Sequence, residues 1–364
     1  MPRVGIVTYD FFPPIGGQGR HTYELWWHLR RLGADVKVLS SRPNALAGHT
    51  CAGTPAAMLA RGIGFSIHAN VVLSRWLHAN PCDLLHLNGG PGGVLLLVKP
   101  PAPLLYTAHH TYAQQARLVP GQAWKKALAQ VEARGYAAAA AVAADTPSTA
   151  RSVIAELGVD AAKVTVIPSG FDASRFRPLG LERAPDWALF VGRLDARKGF
   201  RFLLESWVEV ARRRPQARLF VVGSGPLEPW ARRFVAQHCL EASVRFLGRQ
   251  SEDGLISWYN RVSVVVVPSV FEGFGLTALE ALACGAQVVA SDVEGLADVV
   301  PDAGWARRVP YGDNRALAEG ILGALQAPKA IPAAAIARLA QTYSWPQVAA
   351  MYLAAYQSLE SQPS

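Results

Sequence analysis

Hydrophobic and polar positions alternate between two patterns along the 364-residue chain. Short β-branched runs, such as residues 262–267 (VSVVVV), predict buried parallel strands. Longer amphipathic segments, such as residues 20–32 (RHTYELWWHLRRL), predict helices that cover a sheet. Because strand and helix patterns follow each other repeatedly, we predict an α/β fold built from βαβ units.

The periodicity predicts strands and helices with the following bounds. Predicted strands cover residues 3–9, 36–40, 83–87, 104–107, 142–144, 164–167, 187–191, 218–222, 244–247, 262–267 and 287–290. Predicted helices cover residues 20–32, 123–137, 200–213, 276–284 and 344–359, with residues 43–60 irregular. A further helix is expected after Asp145, with Thr146 or Ser148 as its N-cap.

Residues 163–178 (KVTVIPSGFDASRFRP) predict an interdomain linker, because a strand gives way there to proline, glycine and polar residues. The length of the chain predicts about two domains. We therefore place the first domain at residues 1–170 and the second at residues 171–345.

Composition and charge limit the function classes. The net charge is +9, and residues 1–170 hold 15 Lys+Arg against 8 Asp+Glu. The excess suits a diphosphate or an anionic membrane, whereas no nucleic-acid-binding motif is present. The chain shows neither a signal peptide nor a membrane span, so we expect a cytosolic protein. Cys51, Cys82, Cys239 and Cys284 have no metal-ligand or disulfide spacing and are expected to be free and mostly buried.

Glycine loops follow several predicted strands. Gly16 and Gly17 follow the first strand, where open α/β sheets bind ligands. Thr22 stands where a dinucleotide fingerprint needs its third glycine, and an ordinary tight turn is the alternative for this loop. After the strand at 262–267, Gly273 and Gly275 open a helix whose positive end suits a phosphate.

Charged and polar side chains accompany these loops. Glu272 and Glu280 are eight positions apart and can accept hydrogen bonds from sugar hydroxyls, unless they are two solvated carboxylates. Arg193 and Lys198 follow a strand and can bind phosphate oxygens, unless they are solvated loop cations.

Histidines and tryptophans of the first domain also allow two interpretations each. His109 and His110 follow the strand at 104–107 and can donate or accept near neutral pH, whereas His86 is interpreted as structural. In the helix at 20–32, Trp26, Trp27, Arg30 and Arg31 either touch a membrane or combine a packed Trp26 with solvated arginines. We favour the packed interpretation, because any helix of a βαβ unit needs an apolar face.

Glu272 and Glu280, with Phe274, Gly275 and Leu276 between them, resemble the E-x7-E motif of the family-4 retaining glycosyltransferases. Residues 192–199 (GRLDARKG) resemble the diphosphate loop of that family, and residues 107–109 resemble its T-x-H pattern. The linker resembles its IPNGVD segment, with Ser169 where asparagine is usual. The resemblance implies a GT-B fold, in which two Rossmann-like domains face a cleft and a C-terminal helix, here residues 346–364, crosses back to the first domain.

The resemblance also implies the roles of individual residues. A sugar moves with retention from a nucleotide-diphosphate sugar on the second domain to a hydroxyl acceptor on the first, without a metal or other cofactor. The implied catalytic residues are His109, Glu272, Arg193 and Lys198. The implied donor-binding residues are Gly16, Gly17, Arg193, Lys198, Arg249, Glu272, Phe274, Gly275, Leu276, Thr277 and Glu280. Glu294, Gly295 and Asp298 depart from the usual Gly-Gly-x-x-Glu near the donor sugar.

Three alternatives stay open: a silent sugar-nucleotide-binding protein, a phosphorylase-like enzyme of the same fold, and a dinucleotide-dependent oxidoreductase, which the incomplete glycine fingerprints disfavour. The basic first domain also allows peripheral membrane attachment with a lipid-linked acceptor. The nucleotide base, the sugar, the acceptor and the oligomeric state are not specified by these motifs.

Overall fold

The computed structural model describes residues 1–51, 61–91, 93–97 and 100–361. The chain divides into two compact units. Unit 1 comprises Met1–Gly170 and Trp345–Ser364, and unit 2 comprises Phe171–Ser344. Each unit contains its own parallel sheet with helices packed against it.

Unit 1 contains a seven-stranded parallel sheet with the order β3-β2-β1-β4-β5-β6-β7. Its strands are β1 (Arg3–Val7), β2 (Asp35–Ser40), β3 (His49–Cys51), β4 (Leu84–Asn88), β5 (Leu104–Ala108), β6 (Ala141–Ala144) and β7 (Val164–Val166). Its helices include α1 (Gly17–Arg31), α2 (Arg61–Ala79), α3 (Tyr112–Leu118), α4 (Lys126–Ala138) and α5 (Pro147–Leu157), with 3₁₀ turns at Ala123–Lys125 and Ala161–Lys163.

Unit 2 contains a six-stranded parallel sheet with the order β10-β9-β8-β11-β12-β13. Its strands are β8 (Ala184–Val191), β9 (Arg218–Val222), β10 (Val244–Gly248), β11 (Val262–Val267), β12 (Gln287–Ser291) and β13 (Ala306–Val309). Its helices are α6 (Phe200–Arg213), α7 (Glu228–Gln237), α8 (Glu252–Arg261), α9 (Leu276–Ala283), α10 (Leu296–Val299), α11 (Asn314–Gln326) and α12 (Ala333–Tyr343).

Each sheet has one place where the strand order reverses. In unit 1 the reversal lies between β1 and β4, and in unit 2 it lies between β8 and β11. Loops leave the carboxyl ends of the two strands in opposite directions at such a point, and the gap between them is where open α/β sheets bind ligands. The glycine loops that the sequence singled out, residues 10–17 and 268–275, follow β1 and β11.

The last helix, α13 (Trp345–Glu360), belongs to unit 1 and packs against α1. Its buried tyrosines reach polar groups of the sheet: the Tyr356 hydroxyl lies 2.6 Å from His86 Nδ1, and the Tyr352 hydroxyl lies 3.2 Å from Thr107 Oγ1. A Cβ added at Gly170 would lie 2.6 Å from the Trp345 ring, so only glycine fits there. The helix thus closes one face of the unit 1 sheet.

Several predicted elements have the observed bounds, among them α6, β9 and β11. The prediction that residues 43–60 are irregular is wrong at β3, and residues 52–60 lie outside the described residues. The strand was missed because it is only three residues long and pairs with β2 alone, so its sequence shows no apolar alternation. The predicted helix at 123–137 begins with a 3₁₀ turn, and the α-helix starts at Lys126.

The alternatives for single residues are also resolved. Thr146 is the N-cap of α5, because its side chain accepts a hydrogen bond from the Thr149 backbone N–H. Trp26 is buried against the sheet, while Trp27 is half-exposed. The cysteines are free as expected, but the expectation that most are buried is wrong. Only Cys284 is buried, and Cys51 and Cys239 are exposed because they lie on an edge strand and in a helix-terminal turn.

No helix in the described part of the chain is long and apolar enough to cross a membrane.

Glu132 on α4 is a buried carboxyl group that the sequence did not single out. Its Oε2 accepts a hydrogen bond from the Tyr112 backbone N–H at 2.8 Å, which ties α4 to the start of α3. Burial raises the pKa of Glu132 to about 8, although the backbone N–H groups of Tyr112 and Gly90 oppose the shift. The side chain is therefore mostly protonated at neutral pH and supports this packing without a charge.

We expect Glu132→Gln to change how the stability of the protein depends on pH. The unfolded chain releases this proton near pH 4.5 and the folded chain near pH 8, so the wild type loses stability as pH rises between these values. Because glutamine does not ionise, the variant should gain on the order of 3 kcal/mol relative to wild type between pH 5.5 and 8. Urea unfolding at both pH values measures the change.

The control is Glu156→Gln, which alters a partly exposed carboxylate on α5. A Glu132→Gln variant whose stability relative to wild type is the same at pH 5.5 and at pH 8 would contradict the assignment of a protonated Glu132.

Candidate active site

Two loops interlock at the strand reversal of unit 2. Residues 192–199 follow β8, and residues 268–275 follow β11. The Val270 backbone N–H donates to the Arg197 carbonyl at 2.9 Å. Gly199 has φ +64°, and a Cβ there would lie 1.7 Å from the Pro268 carbonyl oxygen, so a glycine is required at this contact. The two loops therefore hold each other's side chains in fixed places.

Glu272 is the buried centre of this loop pair, with 7% of its surface exposed. Lys198 Nζ forms an ion pair with Oε1, Arg197 Nη1 lies 3.4 Å from Oε2, and the Ser269 hydroxyl donates to Oε1 at 2.9 Å. Burial alone would raise the pKa of Glu272, but the charges of Lys198 and Arg197, with the hydrogen bonds from Lys198 and Ser269, lower it to about 2. The carboxylate is therefore ionised and holds two cations beside the loop.

Of the two cations beside Glu272, the sequence selected Lys198 and did not select Arg197. Lys198 and Arg197 both contact Glu272, whereas the Arg193 side chain is 64% exposed and lies 3.4 Å from Asp195 Oδ2. Arg249 is exposed on the turn after β10. Arg197 was missed because the family pattern names Lys198 and leaves its neighbour without a role. The signal for it was the adjacent pair of basic residues in a loop that follows a strand.

Helix α9 begins at Leu276, and its N-cap Gly275 has φ +97° and offers no side-chain cap. Phe274 is buried before it, 5.7 Å from the Tyr343 ring, and Leu276 and Thr277 are half-buried in its first turn. Gly295 packs directly against the backbone of this loop. A Cβ at Gly295 would lie 2.2 Å from the Glu272 carbonyl oxygen, so a larger residue would not fit. The turn at 294–295 thus supports the loop that starts α9.

Glu280 lies one helical turn before the end of α9 and is half-buried. Its Oε2 accepts a hydrogen bond from the Tyr259 hydroxyl at 3.1 Å. Burial raises the pKa of Tyr259 well above its usual value, and the nearby Glu280 carboxylate adds to the shift, so this tyrosine stays a donor. The two carboxylates of the motif therefore have different surroundings.

In unit 1, Asp10 shapes the glycine loop at the end of β1. Its carboxylate accepts hydrogen bonds from the backbone N–H of Ile15 and Gly16, and Arg42 Nη2 lies 3.0 Å from Oδ1. A Cβ added at Gly19 would lie 2.2 Å from Asp10 Oδ2, so Gly19 is required for this packing. By contrast, apart from neighbouring residues of the chain, no described atom lies within 4 Å of a Cβ at Gly16 or Gly17. Packing within the unit does not explain those two glycines.

His109 lies in a buried polar cluster at the carboxyl edge of the unit 1 sheet. Its Nδ1 is 2.7 Å from Asp145 Oδ2, and the Ser169 hydroxyl donates to the same oxygen at 2.9 Å. His21 Nδ1 lies 3.1 Å from the Ser169 hydroxyl. His110 lies outside the cluster, with its Nε2 2.8 Å from Gln115 Nε2. The two neighbouring histidines therefore have different hydrogen-bond partners, and His109 is the one that belongs to the cluster.

The charges of this cluster follow from burial. Burial, with a contribution from the neighbouring His109, lowers the pKa of His21 to about 3, so His21 is neutral. Burial alone would raise the pKa of Asp145, but the charge of His109 and hydrogen bonds from His109 and Ser169 hold it below its usual value. Among the described residues, His21, His109 and Asp145 also place one ligand atom each within 4.8 Å of one another, the spacing that a metal ion could use.

Sequence reasoning missed three of these four residues: His21, Asp145 and Ser169. Asp145 follows β6 and Ser169 follows β7, so both lie at the carboxyl edge of the sheet. Their position after a strand is the same signal that identified His109. His21 gave no signal, because a histidine within an amphipathic helix is indistinguishable from a surface residue in the sequence.

Two family models match the chain. The model described as Glycosyltransferase Family 4 matches residues 15–175, and the one described as Glycosyl transferases group 1 matches residues 185–327. The D-inositol 3-phosphate glycosyltransferase of Mycobacterium avium is 32% identical over 296 residues, which cover 75% of this chain and 69% of that protein. D-inositol 3-phosphate glycosyltransferase 2 of Catenulispora acidiphila is 36% identical over 204 residues, 51% of this chain and 48% of that protein.

The chain thus spans about half the length of the Catenulispora relative. Among solved structures, a sucrose-phosphate synthase of Thermosynechococcus elongatus superposes with a TM-score of 0.80 at 23% identity and covers 99% of both chains. This likeness confirms the predicted α/β class with two Rossmann-like units of the GT-B type. The chain therefore belongs to the GT-B glycosyltransferases that carry group 1 and family 4 domains.

Proposed function

We propose that this protein transfers a sugar from a nucleotide-diphosphate sugar to a hydroxyl acceptor, with retention of anomeric configuration and without a metal ion. The observation that carries this proposal is the pair of cations, Lys198 and Arg197, held on the buried Glu272 beside the uncapped start of α9. Positive charge converges there at the strand reversal of unit 2, where a diphosphate fits best.

The leaving diphosphate needs its developing charge stabilised. Lys198, Arg197 and the backbone N–H groups at the start of α9 supply fixed positive charge for this step. Arg193, on the same loop, has a long exposed side chain that can close over the phosphates from solvent. Glu272 keeps Lys198 and Arg197 close together and partly desolvated before the donor arrives, and it accepts hydrogen bonds from the sugar as the cations turn to the phosphates.

The other predicted residues complete the donor site. Glu280 accepts hydrogen bonds from the ribose hydroxyls, and the backbone of the loop before α9 binds the diphosphate oxygens. His109 orients the sugar. The departing phosphate oxygen takes the proton of the acceptor hydroxyl, so no covalent sugar–enzyme intermediate is formed. Gly16 and Gly17 leave room for the donor phosphate to approach the backbone of the unit 1 loop.

Unit 1 is proposed to bind the acceptor. Two of the relatives carry the name D-inositol 3-phosphate glycosyltransferase, so D-inositol 3-phosphate is the acceptor to test first. The basic character of residues 1–170 suits a phosphorylated acceptor of this kind, and it suits equally a lipid-linked acceptor at the inner face of a membrane.

A catalytically silent sugar-nucleotide-binding protein is the second candidate. The contacts of Glu272 favour this candidate. Lys198, Arg197 and Ser269 already contact both carboxylate oxygens, so few positions are left for hydrogen bonds from a sugar. Such a protein would bind a nucleotide with the same residues but would release no sugar. A phosphorylase-like enzyme of the same fold would need a cofactor-bearing lysine, and no residue is assigned to that role.

The first test is calorimetric binding of UDP, GDP and ADP to the wild type and to Glu280→Ala. One nucleotide should bind, and the variant should lose roughly 2–4 kcal/mol of binding free energy, because two charge-assisted hydrogen bonds to the ribose disappear. Tyr259→Phe is the matched control, since it removes the hydroxyl that contacts Glu280 and keeps the carboxylate.

If none of the three nucleotides binds, the donor site is misplaced. Equal losses in Glu280→Ala and Tyr259→Phe would show that the pair only supports α9. Release of sugar from the matching nucleotide sugar, with and without D-inositol 3-phosphate and in the presence of EDTA, then separates a metal-independent transferase from a silent binder.

Two glycine substitutions separate ligand binding from folding in the unit 1 loop. Gly17→Ala should leave the melting temperature unchanged, because its Cβ meets open space, and should raise the KM for the nucleotide sugar. Gly19→Ala should lower the melting temperature, because its Cβ would overlap the Asp10 carboxylate. Thermal unfolding and initial-rate kinetics measure both. A Gly17→Ala variant with normal kinetics would exclude a donor phosphate from this loop.

Membrane attachment is tested with vesicles. We expect the protein to sediment with anionic phosphatidylglycerol vesicles at low ionic strength and to dissociate at about 0.5 M salt, where charges are screened within a few ångströms. Neutral phosphatidylcholine vesicles are the control. Absence of binding to anionic vesicles at low salt would remove the peripheral-membrane hypothesis.

A further inference from the structure

Four polar side chains from four segments of unit 1 meet in one buried cluster. His21 comes from α1, His109 follows β5, Asp145 follows β6 and Ser169 follows β7, and each is at most 8% exposed. The His21 and His109 rings are edge-on, with centroids 4.6 Å apart. Because no side chain here is well solvated, the proton positions must satisfy one another.

The hydrogen-bond chemistry fixes where the protons lie. Asp145 is ionised and can only accept, so the Ser169 hydroxyl donates its single hydrogen to Oδ2. The Ser169 oxygen can then only accept from His21 Nδ1, which lies 3.1 Å away. His21 is neutral, so its proton is on Nδ1. His109 Nδ1, 2.7 Å from the same Asp145 oxygen, must also carry a proton.

Three polar atoms of the cluster lack a hydrogen-bond partner in the described part of the chain. His21 Nε2, His109 Nε2 and Asp145 Oδ1 are buried and have no hydrogen-bond partner among the described residues. A buried polar atom without a partner is unfavourable by about 1–3 kcal/mol, so native proteins keep such atoms where a ligand or water completes them. Since His109 is the predicted sugar-contacting histidine, its Nε2 is the atom that a substrate hydroxyl would meet.

We propose that Asp145 and Ser169 are positioning residues that hold His109 through the proton on its Nδ1, so that Nε2 is the ring nitrogen left to a substrate hydroxyl. Asp145 acts by direct contact, and Ser169 acts by holding Asp145 while it accepts from His21. The consequence for catalysis rests on the proposed function. The placement of the protons does not, so the two are tested separately.

The geometry explains why all four residues are needed. Without Asp145, the Nδ1 atom of His109 has no described acceptor, and the proton can move to Nε2 and reverse the hydrogen bond offered to the substrate. Without the Ser169 hydroxyl, Asp145 loses one of its donors and His21 loses its acceptor. Because His21 is neutral, it cannot compensate for the lost Ser169 hydroxyl by offering a positive charge to Asp145.

The first measurement is a ¹⁵N spectrum of the histidine rings in labelled wild-type protein at neutral pH with EDTA. The His21 and His109 signals are assigned with His21→Gln and His109→Gln. The Nδ1 atom of both rings should carry a proton. A His109 ring with its proton on Nε2 alone would overturn the proposal. Signals that depend on EDTA would place a metal on the cluster and would overturn it equally.

Variants then test the positioning roles in the same spectrum. Asp145→Asn should shift the His109 proton toward Nε2. Ser169→Ala should change the His21 signals, and Ser169→Thr, which keeps a hydroxyl, should restore them. Ser152→Ala is the matched control, because Ser152 is an equally buried serine of unit 1 whose hydroxyl contacts Thr111 rather than the cluster. A His109 signal that Asp145→Asn leaves unchanged would overturn the role of Asp145.

Kinetics provide the link to function. With the nucleotide sugar whose base binds in calorimetry, Asp145→Asn should lower kcat about 10- to 100-fold, the range for groups that orient a site residue. Nucleotide affinity should stay unchanged, because the proposed nucleotide site lies in unit 2. An Asp145→Asn variant with wild-type kcat would overturn the positioning role. If no nucleotide binds but the tautomers are as expected, the proposed function fails and the proton placement stands.

Discussion

Burial of both faces of two parallel sheets is the constraint on which the rest of this structure depends. Every residue of β11 is buried, so this strand can carry only small or apolar side chains along its length. Central strands of this kind leave no room for charge within their length. The two candidate sites, around Glu272 in unit 2 and around His109 in unit 1, both lie in loops at the carboxyl ends of the strands, where charged side chains can be placed.

Three buried carboxyl groups differ in their ionisation state. Glu272 is ionised because two cations and a hydroxyl surround it, and Asp145 is ionised because His109 and Ser169 donate to it. The donors to Glu132 among the described residues are backbone N–H groups, and Glu132 keeps its proton at neutral pH. The number and charge of the donors thus decide the ionisation state, and the two ionised carboxylates are the two that lie at the strand edges proposed to bind substrate.

The parts of the fold that follow from strong periodicity were predictable from the sequence. The helix α6 and the strand β11 have their predicted bounds, because one has a continuous apolar face and the other an unbroken apolar run. The edge strand β3 was not predictable, since three residues with a single partner need no apolar pattern. Within the sites, Lys198 and His109 were found through motifs. Arg197 was missed because its contact with Glu272 depends on how two loops interlock.

The buried cluster also explains how the chain tolerates serine where the resembled family has asparagine. The position must donate to the Asp145 carboxylate and accept from His21 Nδ1 at the same time. An asparagine amide can do both with its NH₂ group and its carbonyl oxygen, and a serine hydroxyl can do both with its proton and a lone pair. Alanine or valine can do neither. The physical requirement at Ser169 is therefore one donor and one acceptor on a short side chain, and the identity of the residue is secondary to it.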